Sequence, residues 1–476
     1  MDWTLGYYKE INLNDNRILQ FYYRIGNGVA ITSQSQLEQF RRCTQINNNV
    51  NITFPNPDFS VFDNLIEIFG NLTITGCNIN ITAFPSLKLI IGSLNIHNNT
   101  FTTISGFGKL KYIRDMFLIS NTPVNFMEFK SLTIIGSIAI VNTNLYSLPL
   151  LNSPSITTLG SITISGNPYL LSLPVFDYLS NIGPIGISTI WNDNIEIQPG
   201  NIFIKNNALL SELPRFNSLK TMGDLYIYGN AILSSFYFDS LVSMNSLIIN
   251  NNPSLFSLPP FSSLTSLGNL VIINSLLVTL PDFNISTIGD FIIDGTAMQY
   301  ISGFYGLTQI GNFYINNNSL LANMSNFPSV VSIGLVVVTN NPVFIFPEFS
   351  NTVTISDINI TNNGCTYLPD FYISNVGYLI INNNPNLHTF PSFSNLLTID
   401  NLVVNQSAFT NITTKNNVPI FNSLIAIGNI VVDNNLLLTY IQDFTSISIG
   451  NVIFGYNPNL RLQDYNSVNT VGTITI

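Results

Sequence analysis

The sequence predicts an all-β fold, a right-handed parallel β-helix or solenoid of about 20 turns of 21–24 residues with an N-terminal cap. Three observations lead there. A unit reading Ile-Gly-x-Leu-x-Ile-x-Asn-Asn, then Leu-Pro-x-Phe-x-x-Leu, recurs along most of the chain. Its x-Leu-x-Ile centre alternates with the period of two that sends every second side chain into an interior. The chain is 46% hydrophobic but only 8% charged, and its polar residues are mostly Asn, Ser and Thr, which fits a core buried in many small instalments.

Residues 1–42 precede the regular repeat. Lys9 to Asn12 and Leu19 to Arg24, around Asn14-Asp15-Asn16, read as a hairpin. Ser33 and Gln36 have capping-box spacing, which predicts a short helix over the end of the coil. A continuous solenoid is expected over 43–476. Its Gly marker falls at 70, 92, 136, 160, 183, 200, 223, 268, 289, 311, 334, 377, 428, 450 and 472. Glycine there suits a corner that needs positive φ or close backbone approach. An Asn six residues later, at 98, 142, 206, 251, 274, 317, 340, 362, 383 and 434, suits a tight corner and a ladder of amides between turns. A Phe in the corner segment, at 62, 107, 129, 176, 216, 238, 261, 283, 304, 349, 371, 393, 421 and 444, predicts an aromatic spine inside the coil.

Two turns are irregular. The step from Gly183 to Gly200 is short, lacks the Pro-x-Phe corner and carries Trp191. The step from Asp400 to Gly428 is long, and its excess reads as a polar loop at 410–417. The last rung ends at Ile476 in mid-strand, so an open end prone to pairing is expected.

The bulk numbers exclude several function classes. The net charge is −10 with 15 Lys and Arg, scattered beyond the first 42 residues, so nucleic acid is not an expected partner. No apolar run is long enough for membrane insertion as a helix. The N-terminus lacks a visible signal peptide and the C-terminus a lipid-anchor tail. Cys43 and Cys77 either form one bridge or, as expected, lie with Cys365 as free buried thiols.

The stretches Ile68-Phe69-Gly70-Asn71-Leu72-Thr73-Ile74 and Leu159-Gly160-Ser161-Ile162-Thr163-Ile164 resemble the receptor L-domain family, which includes ligand-binding domains of insulin- and EGF-type receptors and bacterial and fungal surface relatives. The segment 31–46, with its short helix leading to Cys43, is similar to that family's start. The resemblance implies a leucine-rich-repeat-like solenoid, a binding role and an extracellular or particle-surface location. It carries over no site residue.

Chemistry finds little support. Acids follow the corner Pro at Asp282, Glu348 and Asp370, and Glu348 and Asp370 fall on adjacent rungs about 5 Å apart, the separation of a retaining glycosidase pair. Any two acids in one solenoid column share that spacing, so no catalytic residue is assigned and the chain is read as a non-enzyme. His97 and His388 are isolated, and Asp290 and Asp294 alone make a poor calcium site; no metal and no cofactor is expected.

One feature exceeds what the fold requires. Three residues past the marker, where side chains should face solvent, the early turns carry Thr73, Asn95 and Thr163. Later turns carry Phe203, Tyr226, Ile248, Val271, Ile292, Tyr314, Val337, Asn359, Ile380, Val403, Val431 and Ile453. Asn201, Asp224, Ser246, Asn269, Asp290 and Asn312 flank it on one side; Asn250, Asp294, Asn316, Thr339 and Asn382 flank it on the other. An apolar stripe with a polar rim reads as an interaction surface. The expected function is non-enzymatic binding or adhesion through this stripe, to a protein partner, a further copy of the chain or a glycan. The alternative is a structural component of a large assembly such as a surface layer or virus particle, and a glycan-cleaving β-helix is more distant.

Overall fold

The computed structural model describes residues 22–23, 29–122, 125–126, 129–148, 151, 153–183, 200–415, 418–442, 447–461, 469–470 and 474–475. They form a nearly all-β, parallel-stranded solenoid of about 18 turns with almost no helix. The chain divides into two compact units, Met1–Met244 with Asn252–Ser254, and Asn245–Asn251 with Leu255–Ile476.

Within each unit the repeat stacks as its periodicity predicts. In the first, the strands Leu89–His97, Tyr112–Ile119 and Ile134–Val141 run parallel, with Leu94 opposite Met116 and Met116 opposite Ile138. In the second, Thr287–Asp294, Gln309–Asn316, Ser332–Thr339 and Thr354–Thr361 place Phe291, Phe313, Val336 and Ile358 in one fully buried column.

The corner chemistry is specific. All ten Asn of the predicted column have φ between 47° and 59°, the left-handed conformation that Asn tolerates better than other side-chain-bearing residues. Their amides also ladder between turns: Asn340 Nδ2 donates to Asn317 Oδ1 at 2.9 Å and Asn362 Nδ2 to Asn340 Oδ1 at 2.9 Å. The marker glycine answers mostly to close approach. A Cβ on Gly334 would lie 2.2 Å from the Gly311 carbonyl oxygen, so any side chain there would push the turns apart.

The next residue forms a second ladder that the sequence reading overlooked. Asn99, Asn121, Asn167, Asn207 and Asn230 in the first unit, and Asn318, Asn341, Asn363 and Asn384 in the second, are buried. Each of these nine donates from Nδ2 to a strand carbonyl, as Asn318 does to Ile293 O at 2.9 Å. Most also accept at Oδ1 from the backbone N–H of the preceding turn. Buried backbone groups that the strand ladder leaves open at the corner are thereby paired.

The Phe spine lies inside each unit. Phe176, Phe216 and Phe238 stack at 5.3 and 4.8 Å between centroids, and Phe261, Phe283 and Phe304 at 6.0 and 5.4 Å. Phe84 and Phe327, which fall outside the motif, join the column. Phe444 lies outside the described residues. Cys43, Cys77 and Cys365 are free and buried. Burial pushes the Cys43 and Cys77 thiols up to about 12 and Cys365 up to about 11.

At the N-terminus, Tyr22–Tyr23 runs parallel to Gln45–Ile46, and Val29–Ile31 runs parallel to Val50–Ile52. The arm Lys9 to Asn12 of the expected hairpin lies outside the described residues. A helix, Gln34–Leu37, and a 3-10 turn, Glu38–Phe40, follow, with Leu37 and Phe40 buried. The capping contact is shifted by one residue. Gln36 Oε1 accepts from the Thr32 N–H at 2.7 Å, and Ser33, the N-cap, makes no side-chain bond to the helix backbone.

The two irregular steps resolve differently. Asn181–Ile182 pairs with Thr158–Leu159, and Ile202–Lys205 pairs with Ile162–Ser165. Gly183 and Gly200 therefore both lie against the rung that carries Gly160, and their spacing does not mark two rungs. That removes one of the expected 20 turns and explains the missing Pro-x-Phe corner. Trp191 lies outside the described residues. In the long step, where a polar loop was expected, Thr414–Lys415 and Val418–Pro419 pair antiparallel.

Candidate binding surface

Each long strand of the second unit presents three outward positions, one, three and five residues past the marker slot, between buried inward ones. The alternation follows from the pleat and fixes the register. In this unit the middle column is Ile248, Val271, Ile292, Tyr314, Val337, Asn359, Ile380, Val403, Val431 and Ile453. From Val271 onward each member lies opposite the next in parallel register. All are half-buried except Ile453, which is exposed. Branched side chains one rung apart shield each other's flanks and leave a ridge of apolar tips in water. Phe203 and Tyr226 hold the same slot in the first unit, their rings stacked with centroids 4.5 Å apart and planes at 10°.

The rim of the ridge is ordered by bonds between turns. Asn312 Nδ2 donates to Asp290 Oδ1 at 2.7 Å, Asn429 Nδ2 to Asn401 Oδ1 at 2.8 Å, and Thr339 Oγ1 to Asn316 Oδ1 at 2.8 Å. Leu335 and Tyr378 sit in the column of Asp290 and widen the apolar patch.

The early turns depart from expectation. Thr73, Asn95 and Thr163, expected in solvent, are only 6%, 2% and 5% exposed. The rim residues Asn201, Asp224 and Ser246 are buried as well. Phe117 and Ala139 fill the same middle column and cluster with Val141 and Ile119. Periodicity tells which side of a strand a residue takes, and nothing about what packs there. The surface open to a partner therefore lies on the later turns. The sequence reading also missed exposed apolar groups on the stretch after the corner Asn, among them Phe256, Tyr300 and Ile345, because no fixed residue type recurs there.

Comparison with known families places the first turns. Residues 42–101 match the family model of the Receptor L domain. No curated protein matches the chain. The L-domain match covers Cys43, Gly70 and Gly92 and lies within the first unit, where Thr73 and Asn95 of the middle column are buried; the ridge lies beyond it. The L-domain likeness thus supports the fold and a binding or structural role, and the ridge rests on its own geometry.

The acids of the corner column sit in structural surroundings. Asp370 Oδ1 accepts from the Ser392 N–H at 2.8 Å, and the Glu348 N–H donates to Asn326 Oδ1 at 2.9 Å, so this position links successive turns. Among the described residues no group of three or more His, Cys, Asp or Glu is placed to hold a metal, and no helix is long and apolar enough to cross a membrane. Replacing Glu348→Gln and Asp370→Asn together is expected to change unfolding stability by less than about 1 kcal/mol, since both replacements keep an acceptor oxygen. Urea denaturation checks this. Loss of a glycan-cleaving activity in the double variant would overturn the non-enzyme reading.

Proposed function

We propose that the chain is a non-enzymatic binding solenoid that docks a protein partner on the apolar ridge of the second unit. The ridge itself carries the reading: aliphatic and aromatic side chains in register over successive turns, broken only at Asn359, half-exposed, on a side of the sheet that the fold leaves free of core packing. A patch of this kind marks interaction surfaces more often than solvated sheet. The likeness of residues 42–101 to Receptor L domains, a typically extracellular ligand-binding family, favours binding over catalysis and a surface location. Charge narrows the partner. Residues 255–476 hold ten Asp and Glu against Lys415 and Arg461, so a partner bringing amide or cationic donors to the rim is favoured.

Placing Lys at Ile248, Ile292 and Val337 is expected to weaken association at least about tenfold, because three charges must be desolvated in the contact. Sedimentation velocity and mass photometry read the association, and thermal melting reads the fold, which should hold because these side chains point away from the core. A triple variant that unfolds would show that the column packs inward. An ordered polymer of the unmodified chain, dissolved by the same changes, would favour the structural-assembly alternative.

A further inference from the structure

A groove of about 510 Å³ opens on the second unit where Tyr300–Ile301 and Asn323–Met324 run parallel, on a part of each turn separate from the long strands. Tyr300, Asn323 and Ile345 line it from three successive turns, since Tyr300 pairs with Asn323 and Asn323 bridges to Ile345. Tyr300, Tyr305 and Ile345 are 44%, 59% and 58% exposed. Both tyrosine hydroxyls reach one atom, Ser325 Oγ, at 2.7 and 3.3 Å. The rings are thereby held in place before any ligand arrives, which lowers the ordering cost of binding. Asn323, Ser325 and Asn326 add uncharged amide and hydroxyl groups to the lining. No charged side chain lines the groove.

We propose that this groove binds a neutral saccharide chain. The ligand must present an apolar face to fixed aromatic rings, exchange both donor and acceptor hydrogen bonds with the uncharged amide and hydroxyl groups of Asn323, Ser325 and Asn326 beside them, and need no counter-charge. A sugar ring meets all three conditions, with C–H groups on its faces and hydroxyls around its edge. A proline-rich peptide, the other usual occupant of aromatic grooves, meets only the first and third: it offers carbonyl acceptors and few N–H donors, while both tyrosine hydroxyls are already engaged. Three turns at ~4.8 Å spacing give an axial run of about 10 Å, so the ligand is an oligosaccharide lying along the stack rather than a single sugar. The proposal is independent of the ridge and of its partner.

The test uses the full chain produced in bacteria, so that the sequon Asn323-Met324-Ser325 stays unmodified. Chitotriose, maltotriose and cellotriose are titrated by calorimetry and saturation-transfer NMR beside a proline-rich decapeptide. At least one trisaccharide should bind, and Tyr300→Ala with Tyr305→Ala should weaken it about tenfold or more with the melting temperature retained. Should the double variant fail to fold, Ser325→Ala, which frees the rings without removing them, should weaken binding in the same direction. Ile292→Lys on the ridge should leave it unchanged. Absence of binding by all three sugars, binding indifferent to both groove variants, or binding of the peptide alone would overturn the proposal.

Discussion

Asn341→Ala is expected to lower the unfolding free energy by about 3–5 kcal/mol, as a few stranded groups at ~1–3 kcal/mol each, partly relieved by water entering the vacated space. Asn341 is fully buried and occupies the middle of the inner amide ladder. Its Nδ2 donates to Ile315 O, Thr339 O and Asn363 Oδ1 at 2.8, 2.9 and 3.0 Å. Its Oδ1 accepts from the Asn318 N–H and Nδ2 at 3.0 and 3.3 Å. Truncation leaves the Asn318 N–H and the Ile315 carbonyl buried without their side-chain partner. The chain supplies its own control. Thr296 fills the same slot one turn before Asn318 and donates from Oγ1 to Asn318 Oδ1 at 2.7 Å. Asn341→Thr keeps that type of bond and should cost clearly less than Asn341→Ala. Urea denaturation followed by circular dichroism ranks the two. Equal losses would show that the ladder contributes through volume alone.

The ladder also shows where sequence reasoning succeeds and where it stops. The strand register, the left-handed corner Asn and the Phe spine were legible because every turn must solve the same problem, so the same residue recurs at the same spacing. The inner ladder was hidden in plain view as the second Asn of Asn-Asn. Asn is a surface residue by default, and only the geometry of the corner, which leaves strand carbonyls unpaired, shows why it turns inward. The step between Gly183 and Gly200 does not mark a separate turn because both flanks pair with the rung of Gly160, a register that glycine spacing alone does not reveal. The ridge was legible as an outward column, yet the burial of Thr73, Asn95 and Thr163 was not, because packing on the outer side of a sheet leaves no period in the strand itself. The tyrosine groove left no trace either. Tyr300, Asn323 and Ile345 are three different residue types at one structural position, joined only by the stacking of turns.

Phe283→Ala is expected to cost about 3–5 kcal/mol, the usual loss for emptying an aromatic core site. Phe283 is 3% exposed, and its ring lies between Phe261 at 6.0 Å and Phe304 at 5.4 Å, near-parallel to both. The loss combines the transfer of a benzyl group to water with a cavity that the stack cannot close. Collapse would require neighbouring rungs to approach, and their separation is fixed by strand hydrogen bonds at ~4.8 Å. Phe283→Leu refills most of the volume and should recover more than half of the loss, leaving mainly the stacking contribution of about 0.5–1.5 kcal/mol per aromatic pair. Equilibrium unfolding of the three proteins in urea measures the series, with the slope against denaturant showing whether each variant still unfolds as the same cooperative unit. A Phe283→Ala protein within about 1 kcal/mol of the parent would mean that the column is loosely packed and that the strand ladders carry the fold without it.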